Sequence, residues 1–265
     1  MRVEALQVAF EVVCTGSRAA ELLHAVETAW DRCRSDTGEP PTHRVVVLLE
    51  NDDEALAASA GEADLFGTDL TTVMDRLSPM VTRLAITERA GSLTMFHACG
   101  LADPRTGAAA VLFGPSGTGK TTLARTLGRD YVYLSDETAG VSSDRLLVPY
   151  PKPLSILTVP GSPLKEQVSP GALGLRSTEP RDYPLRVLVQ LNRVPDHEGA
   201  AQVDLLSTVD ALPEMISQAS FTSQMEQPLH HMAALVHHVG GVRRVTYREA
   251  VQLGPVVRDL LAEAS

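Results

Sequence analysis

Residues 114–122 read GPSGTGKTT, and this run constrains the fold more than any other stretch of the chain. It fits the pattern G-x-x-x-x-G-K-[ST] at every fixed position. The three glycines allow main-chain conformations that are closed to residues with a Cβ, so successive N–H groups can converge on phosphate oxygens. The residues predicted to bind a nucleotide are Gly114, Ser116, Gly117, Thr118, Gly119, Lys120, Thr121 and Thr122.

The flanking sequence helps to decide between a nucleotide-binding loop and a glycine-rich turn without a ligand. Residues 108–113, AAAVLF, form a short apolar run that predicts a strand buried in a parallel sheet. Residues 120–127 predict a helix in which two leucines share the inner face. This order of elements favours the nucleotide. Lys120 is then expected to bind phosphate at the helix N-terminus, and the Thr121 hydroxyl to bind Mg²⁺.

Two acidic residues follow the next predicted strand, at residues 131–134. They are Asp136 and Glu137, and ligands of open α/β sheets gather at the carboxyl ends of strands. Asp136 is therefore expected to hold Mg²⁺ or to accept the proton of an attacking hydroxyl, and Glu137 to share the metal. The alternative is an acidic pair that only caps a turn.

His97 lies in a predicted strand at residues 92–99, which the turn sequence DPRTG connects to the strand before the loop. The two strands are expected to pair, which places His97 near the nucleotide. Its predicted role is electrostatic, since an imidazolium or a hydrogen-bond donor would stabilise the transferring phosphoryl group or orient the acceptor. The alternative is a histidine that is satisfied within the core.

Composition and charge exclude several classes of protein. The net charge of −10, the pI near 5.3 and an aromatic content of 4% argue against a nucleic-acid partner. No apolar stretch approaches the roughly 18 residues of a membrane span and no signal peptide is evident, so we expect a soluble, cytoplasmic protein without a membrane partner. Three widely spaced cysteines, Cys14, Cys33 and Cys99, predict neither disulfides nor a zinc site.

Other catalytic patterns are missing from the sequence. The pattern G-x-S-x-G fails at Thr118, and neither a dinucleotide fingerprint nor the HRD and DFG motifs of protein kinases occur. Two main classes remain. One is a kinase for a small molecule or a peptide, and the other is a nucleotide-dependent switch or assembly ATPase that hydrolyses its triphosphate to act on a partner protein. A binding protein without catalysis is a third.

Four segments together resemble the HPr kinases and related serine kinases. They are MFHACG at residues 95–100, the glycine-rich loop, YLSDETAGV at residues 133–141 and PYPKPLSIL at residues 149–157. The resemblance covers residues 93–157, and the catalytic core of that family also resembles ATP-dependent phosphoenolpyruvate carboxykinase. It implies an α/β fold like the C-terminal domain of HPr kinase. A P-loop-containing mixed sheet would be flanked by helices and preceded by an N-terminal α+β extension.

The resemblance also implies roles for individual residues. Asp136, His97 and Lys120 would be catalytic, Thr121, Asp136 and Glu137 would hold Mg²⁺, and ATP would be the nucleotide, with GTP as the alternative. Thr122 stands where the family has Glu, and Glu137 where it has a second Asp, so HPr is not the expected acceptor. The chain is similar to divergent members from peptide-biosynthesis clusters, some of which phosphorylate a serine of a lasso-peptide precursor. The predicted activity is transfer of the γ-phosphate to a serine hydroxyl of a peptide or small protein.

The chain is expected to divide at residue 90. Residues 1–90 would form an α+β recognition or packing region, and residues 91–265 the P-loop kinase domain. Within the first region, residues 3–13 predict one strand, Ser17 predicts a helix N-cap, and Pro79 is expected to bend or split a helix over residues 68–88. The oligomeric state is left open, and a homo-oligomer is compatible with the sequence.

A proline-rich segment, residues 149–163, predicts a semi-rigid rim that presents Lys152 towards phosphate or an extended peptide, or a surface loop between two sheets. Lys165 and Arg176 follow in a stretch with the composition of a mobile active-site loop. Whether these three cations contact substrate is left open. Four further residues are predicted to be surface histidines of one helix: His230, His231, His237 and His238.

Overall fold

The computed structural model describes residues 1–36, 38, 40–158 and 164–264. Within these ranges the strands are β1 (Arg2–Ala5), β2 (Val8–Thr15), β3 (His43–Leu49), β4 (Leu65–Gly67), β5 (Thr94–Ala102), β6 (Ala109–Phe113), β7 (Val132–Ser135), β8 (Thr138–Val141), β9 (Leu147–Val148), β10 (Leu154–Ile156), β11 (Glu166–Val168), β12 (Leu185–Arg193), β13 (Gln202–Leu206), β14 (Ala219–Ser220) and β15 (Val242–Tyr247). The helices are α1 (Ala19–Ala29), α2 (Asp53–Ser59), α3 (Leu70–Glu88), α4 (Lys120–Leu127), α5 (Thr208–Gln218), α6 (Pro228–His238) and α7 (Leu253–Glu263). A membrane-spanning helix would need a longer apolar stretch than any helix in these ranges provides.

The chain divides into two compact units. The first consists of Met1–Glu88 together with Lys152–Leu173, and the second of Arg89–Pro151 together with Gly174–Ser265. The sequence expectation assigned everything after residue 90 to one domain, whereas the structure gives the segment Lys152–Leu173 to the first unit. Both units mix helices with sheet, so the chain is of mixed α/β class.

The first unit is built on a four-stranded sheet in the order β1-β2-β3-β4. β1 and β2 form an antiparallel hairpin, whereas β2, β3 and β4 run parallel. The single strand predicted over residues 3–13 is wrong, because Leu6 and Gln7 make a turn with φ of 51° and 61°. Two positive φ values are typical of a tight hairpin turn, but such turns favour Gly, Asn or Asp, so this pair gave no signal in the sequence.

Helix starts in the first unit also differ from expectation in detail. Ser17 does not cap α1. Its N–H and its hydroxyl both donate to the buried carboxylate of Glu50, at 3.1 Å and 2.5 Å. Asp52 instead caps α2, since its side chain accepts from the N–H of Ala55 at 2.9 Å. The helix α3 runs through Pro79 without being split in two.

The segment Lys152–Leu173 is fixed to the first unit by buried polar contacts. Its strands β10 and β11 pair with each other, and β11 contacts α3. The Ser169 hydroxyl donates to Asp31 at 2.7 Å, and the Gln167 amide donates to Asp75 at 3.3 Å. A side chain that is buried with its polar atoms bonded is costly to expose, so this segment is an integral part of the first unit.

The second unit is built on a mixed sheet whose main path is β13-β15-β12-β6-β5-β8-β9. β6 lies parallel to β12 on one side and antiparallel to β5 on the other. The predicted pairing of the strand that carries His97 with the strand before the loop is thus confirmed. The pairing of β6 with β5 is antiparallel because the short turn at residues 103–107 reverses the chain, so the sheet is mixed.

Helices cover the central strands of this sheet. Residues of α5 and α6, such as Met215 and Met232, pack in one buried cluster with Val111 of β6 and Leu188 of β12. The neighbouring Leu112 is buried as well, and α7 contacts the same two strands. Because successive side chains of a strand point to opposite faces, β6 is apolar throughout, as its sequence predicts.

Candidate active site

The loop of residues 114–119 connects the end of β6 to the start of α4, so the predicted strand and helix are both present. Gly117 and Gly119 have φ of 86° and 88°. A Cβ added at either glycine would meet no atom within 4 Å, so these positions require glycine for its backbone conformation and face open space. Gly114 is different, since a Cβ there would lie 2.9 Å from the carbonyl oxygen of Leu191. That glycine permits close packing against β12.

Lys120 is the buried cation of this loop. The residue is only 6% exposed, and its Nζ donates to the carbonyl oxygens of Gly114 at 2.7 Å and of Pro115 at 3.0 Å. Burial lowers the pKa of the ammonium, while Cys99 and Glu214 act in the opposite direction. The side chain thus folds back along the loop and places a positive charge beneath it.

A hydrogen bond from β15 holds the middle of the loop. The Tyr247 hydroxyl donates to the carbonyl oxygen of Thr118 at 2.7 Å, and the Thr118 hydroxyl donates to the carbonyl of Pro115 at 2.8 Å. Burial raises the pKa of Tyr247 to about 12, so this hydroxyl keeps its proton at neutral pH. Nothing in the sequence indicated Tyr247, which lies far along the chain from the loop.

The other predicted loop residues remain accessible. Ser116 and Thr122 are exposed, and Thr121 is half-buried. Within the part of the chain that the structure describes, the Thr121 hydroxyl makes no hydrogen bond, although a hydroxyl can both donate and accept. It is therefore available to a ligand.

Asp136 follows β7, which pairs with β5 through Gly100 and Ser135. The residue is 4% exposed, and its Oδ1 accepts a hydrogen bond from the Tyr133 hydroxyl at 2.9 Å. Tyr133 is another site residue that sequence reasoning missed, although it lies only three positions before Asp136. The bond fixes the position of one carboxylate oxygen.

Cys99 of β5 relates Asp136 to Lys120. Burial raises the pKa of this thiol well above its usual value, Asp136 raises it further and Lys120 lowers it. The fully buried thiol is therefore within electrostatic range of both the carboxylate and the ammonium. The strand β5 pairs with β7, which precedes Asp136, and contacts α4, which begins at Lys120. Cys99 itself is an unreactive thiol because it is buried and its pKa is raised.

His97 lies at the surface next to these charges. Its Nδ1 is 3.1 Å from the carbonyl oxygen of Glu137, and only a protonated Nδ1 can donate to that acceptor. Packing around the ring lowers the pKa of the imidazole and Lys120 lowers it further, although Glu137 and Asp136 oppose these effects. A neutral ring with Nδ1–H leaves Nε2 as a proton acceptor, whereas the sequence predicted an imidazolium or a hydrogen-bond donor.

The structure thus brings together four of the predicted residues. Lys120, Glu137 and Asp136 all act electrostatically on His97, in that order of strength. Within the described ranges no group of three or more His, Cys, Asp or Glu side chains is arranged to hold a metal by itself. That arrangement still fits Mg²⁺ in a nucleotide site, because this ion takes only one or two carboxylates and completes its shell with phosphate oxygens and water.

The three cations of the proline-rich region and the stretch after it differ in how far they are exposed to solvent. Lys152 is 1% exposed, and its Nζ donates to the carbonyl of Pro153 at 3.1 Å and to the Ser78 hydroxyl at 3.5 Å. The expectation of a lysine presented at a surface rim is therefore wrong. Lys165 and Arg176 are exposed. The predicted rim also includes residues 159–163, which lie outside the described residues.

The helix α6 carries all four histidines that were predicted to lie on the surface of one helix: His230, His231, His237 and His238. The Nδ1 of His238 accepts from the guanidinium of Arg145 at 3.0 Å, and burial lowers the pKa of this imidazole, with Arg145 adding to the effect. His230 and His231 line an open pocket together with Ser143 and Glu226. Neither Lys120 nor Asp136 is among the residues that line this pocket.

Comparisons with solved structures give distant likenesses, one of which is described below. No protein-family model matches the chain, and no curated protein matches it. Among solved structures, the HPr(Ser) kinase/phosphatase from Coxiella burnetii is similar over 64% of this chain and 94% of its own, with 12% identity and a TM-score of 0.33.

Proposed function

We propose that the second unit binds ATP and Mg²⁺ at the loop of residues 114–121 and transfers the γ-phosphate to a serine hydroxyl of a peptide or small protein. The observation that carries this proposal is the environment of Lys120. A buried ammonium lies beneath a loop with two left-handed glycines that face open space. Such a loop offers N–H groups, a helix N-terminus and a fixed positive charge to one anion.

Each residue of the site then has a defined task. Lys120 would leave the carbonyl oxygens of its own loop and donate to the terminal phosphates, and the Thr121 hydroxyl would join the magnesium shell. Bound Mg²⁺ would supply neutralisation of the phosphate charge, with Asp136 and Glu137 as its carboxylate ligands. Support comes from the contact of the His97 ring with the backbone of Glu137 and from the electrostatic effect of Lys120, Glu137 and Asp136 on the pKa of that ring.

Two groups are candidates for the proton of the acceptor hydroxyl. Asp136 is the base proposed from the sequence, and Tyr133 holds one of its oxygens. The neutral His97 offers a free Nε2 at the surface, so it would orient the same hydroxyl by accepting its hydrogen bond. A positioned base and an accessible acceptor site favour transfer to a hydroxyl over hydrolysis.

Phosphate transfer is tested with radiolabelled ATP and a panel of serine-containing peptides, each paired with its Ser→Ala counterpart. The proposal predicts label on serine peptides only, and loss of about 100-fold or more of the rate in Asp136→Asn. An Asp196→Asn variant, at an exposed loop position, is the matched control. Release of labelled phosphate without any labelled peptide would favour the switch or assembly ATPase. If the Ser→Ala peptides were labelled as strongly as the serine peptides, serine could not be the acceptor.

A further inference from the structure

One face of the four-stranded sheet in the first unit is only partly covered. Along β2 and β3 the side chains of Val12, Val45 and Val47 are buried, and successive side chains of a strand point to opposite faces. Val13 and Val46 lie opposite each other in the register of the two strands, so they share the other face, and both are only half-buried. This outer face is therefore more accessible than the inner one.

Apolar side chains continue across the outer face to β4. Leu48 lies opposite Phe66 in the register of β3 and β4 and two residues after Val46, so all three point the same way. Leu48 is buried, whereas Phe66 is 44% exposed. We call Val13, Val46, Leu48 and Phe66 the outer patch. It spans three neighbouring strands and leaves an aromatic ring in contact with solvent.

A cavity of about 390 Å³ adjoins the outer patch. It is lined by Val13, Val46 and Leu48 of that patch, and also by Glu50 and Glu62. Glu50 directly follows β3, so it stands at the carboxyl ends of the parallel strands, where ligands of α/β sheets commonly bind. The volume lies within the range of roughly 300–1,000 Å³ that is typical of ligand pockets.

Glu50 brings a buried negative charge to this cavity. The residue is 6% exposed, and its Oε2 accepts hydrogen bonds from the N–H and the hydroxyl of Ser17 at 3.1 Å and 2.5 Å. Its Oε1 has no hydrogen-bond or ion-pair partner within the described ranges, and it is not sealed from solvent. The Ser17 contacts need an acceptor but no charge, and a buried carboxylate is costly unless a cation compensates it. A ligand in the cavity can supply that cation.

The arginines of the chain nearest to this carboxylate are engaged elsewhere. Arg44 lines the cavity, but its guanidinium lies 3.4 Å from the carboxylate of Glu11. Arg18 donates to both carboxylate oxygens of Glu21, at 2.7 Å and 2.8 Å. Glu62 has no ion pair or hydrogen bond of its side chain in the part of the chain that the structure describes. The cavity therefore has an excess of negative charge.

We infer that this cavity binds a peptide segment that places an arginine or lysine on Glu50 and apolar side chains on the outer patch. A basic side chain supplies an N–H donor and a positive charge to the same carboxylate oxygen. Its methylene stem also covers apolar surface, which matches Val46 and Leu48. A free amine or guanidine would fill the charged end and leave Phe66 uncovered, whereas a peptide reaches both. The site goes beyond the proposed phosphate transfer and does not depend on it.

Peptide selection without nucleotide tests the site. A phage library of random twelve-residue peptides is depleted on immobilised Glu50→Gln protein and then selected on the wild-type full chain. We expect the enriched peptides to carry Arg or Lys flanked by Val, Leu, Ile or Phe. The amide oxygen of Glu50→Gln can still accept from Ser17, so this variant should fold like the wild type, which circular dichroism measures.

A double-mutant cycle then assigns the contact to Glu50. The strongest peptide is labelled with fluorescein and compared with a counterpart in which citrulline replaces arginine, or norleucine replaces lysine. Fluorescence anisotropy gives Kd for the wild type, Glu50→Gln and the matched control Glu54→Gln, which is exposed on α2. Glu50→Gln and the neutral peptide should each weaken binding about tenfold or more, with little further loss in combination. Phe66→Ser should weaken the binding of both peptides, and the control should bind like the wild type.

Three results would overturn the inference and leave the proposed function untouched. They are a selection that enriches no basic peptide, equal Kd values for the wild type and Glu50→Gln, and dimerisation in sedimentation velocity that Phe66→Ser abolishes. The last result would make the outer patch an interface between copies of this chain. If Glu50→Gln does not fold, Val46→Lys takes its place, because it puts a competing cation in the cavity. It should remove the preference for basic peptides, and an unchanged preference would overturn the site.

Discussion

At the scale of single residues, each buried charge of the site has hydrogen-bond partners within the protein. Lys120 donates hydrogen bonds to two loop carbonyls, and the carboxylate of Asp136 accepts a hydrogen bond from the Tyr133 hydroxyl. A buried ion without such partners would shift its pKa towards the neutral form or destabilise the fold by several kcal/mol. Binding of an anion would exchange these partners of Lys120 for phosphate oxygens, so the ammonium would be hydrogen-bonded in both states.

His97 gives a prediction about protonation. Because packing and Lys120 lower its pKa below the usual 6.5, the ring should be neutral at pH 7 with the proton on Nδ1. Two-dimensional ¹⁵N NMR of the imidazole, with assignment from His97→Gln, measures both the tautomer and the titration. Addition of Mg-ATP should raise the pKa, since an anion favours the imidazolium. A ring already charged at pH 7 in the free protein would contradict this account.

At the scale of elements, the loop between β6 and α4 owes its shape to glycine conformation and to one tyrosine. Gly119→Ala should lower the free energy of unfolding by about 1 kcal/mol, since an alanine there must adopt φ of 88° with no steric clash to add. Gly174→Ala is a matched control, with φ of 69° and equally open surroundings. Chemical denaturation should give similar losses of stability, and calorimetry should show weaker ATP binding for Gly119→Ala alone. Equal ATP affinities would show that the loop conformation is unimportant for binding.

The Tyr247 hydroxyl makes the second prediction at this scale. Tyr247→Phe leaves the carbonyl of Thr118 without its donor, which should destabilise the fold by about 1 kcal/mol and raise Kd for ATP. Tyr183→Phe removes an equally well-bonded hydroxyl that exchanges hydrogen bonds with Glu179. This control should lose similar stability with an unchanged Kd. The role of Tyr247 as a loop anchor fails if both variants bind ATP like the wild type.

The sequence predicted a helix or strand well where the signal lay within the segment itself. The strand β6, the loop and α4 followed from one apolar run, three glycines and leucine spacing. The position of His97 followed from the predicted pairing of its strand with β6, and that of Asp136 from the end of a strand. Turns without Gly, Asn or Asp were missed, as at Leu6 and Gln7. Tyr247 could not be predicted, because its relation to the loop depends on tertiary packing of elements that are distant along the chain.

At the scale of the whole molecule, the main difference from expectation is the discontinuous first unit. The segment Lys152–Leu173 leaves the second unit and returns to it. Its composition, rich in proline and glycine, resembles that of an exposed loop, yet Lys152, Leu154 and Gln167 are buried in the first unit. Burial of a lysine and a glutamine through specific hydrogen bonds leaves no hydrophobic periodicity for a sequence pattern to detect.

This organisation predicts the result of a truncation. A protein consisting of residues 89–265 keeps the loop but leaves the segment Lys152–Leu173 without Asp31, Asp75 and Ser78, which bond to it. We expect poor solubility or a strongly lowered melting temperature, measured by circular dichroism against the full chain. Replacing Lys152–Leu173 by a short Gly-Ser linker should restore folding of the truncated protein. A truncated protein that melts like the full chain would contradict the assignment of this segment to the first unit.

The proposed chemistry requires the loop around Lys120 to bind a nucleoside triphosphate. Calorimetric titration with Mg-ATP of the wild type, Lys120→Ala and the exposed control Lys165→Ala tests it most directly. We predict saturable binding to the wild type and to Lys165→Ala, and a loss of at least about tenfold in affinity for Lys120→Ala. Equal affinities in all three proteins, or heat of binding in none of them, would contradict the claim.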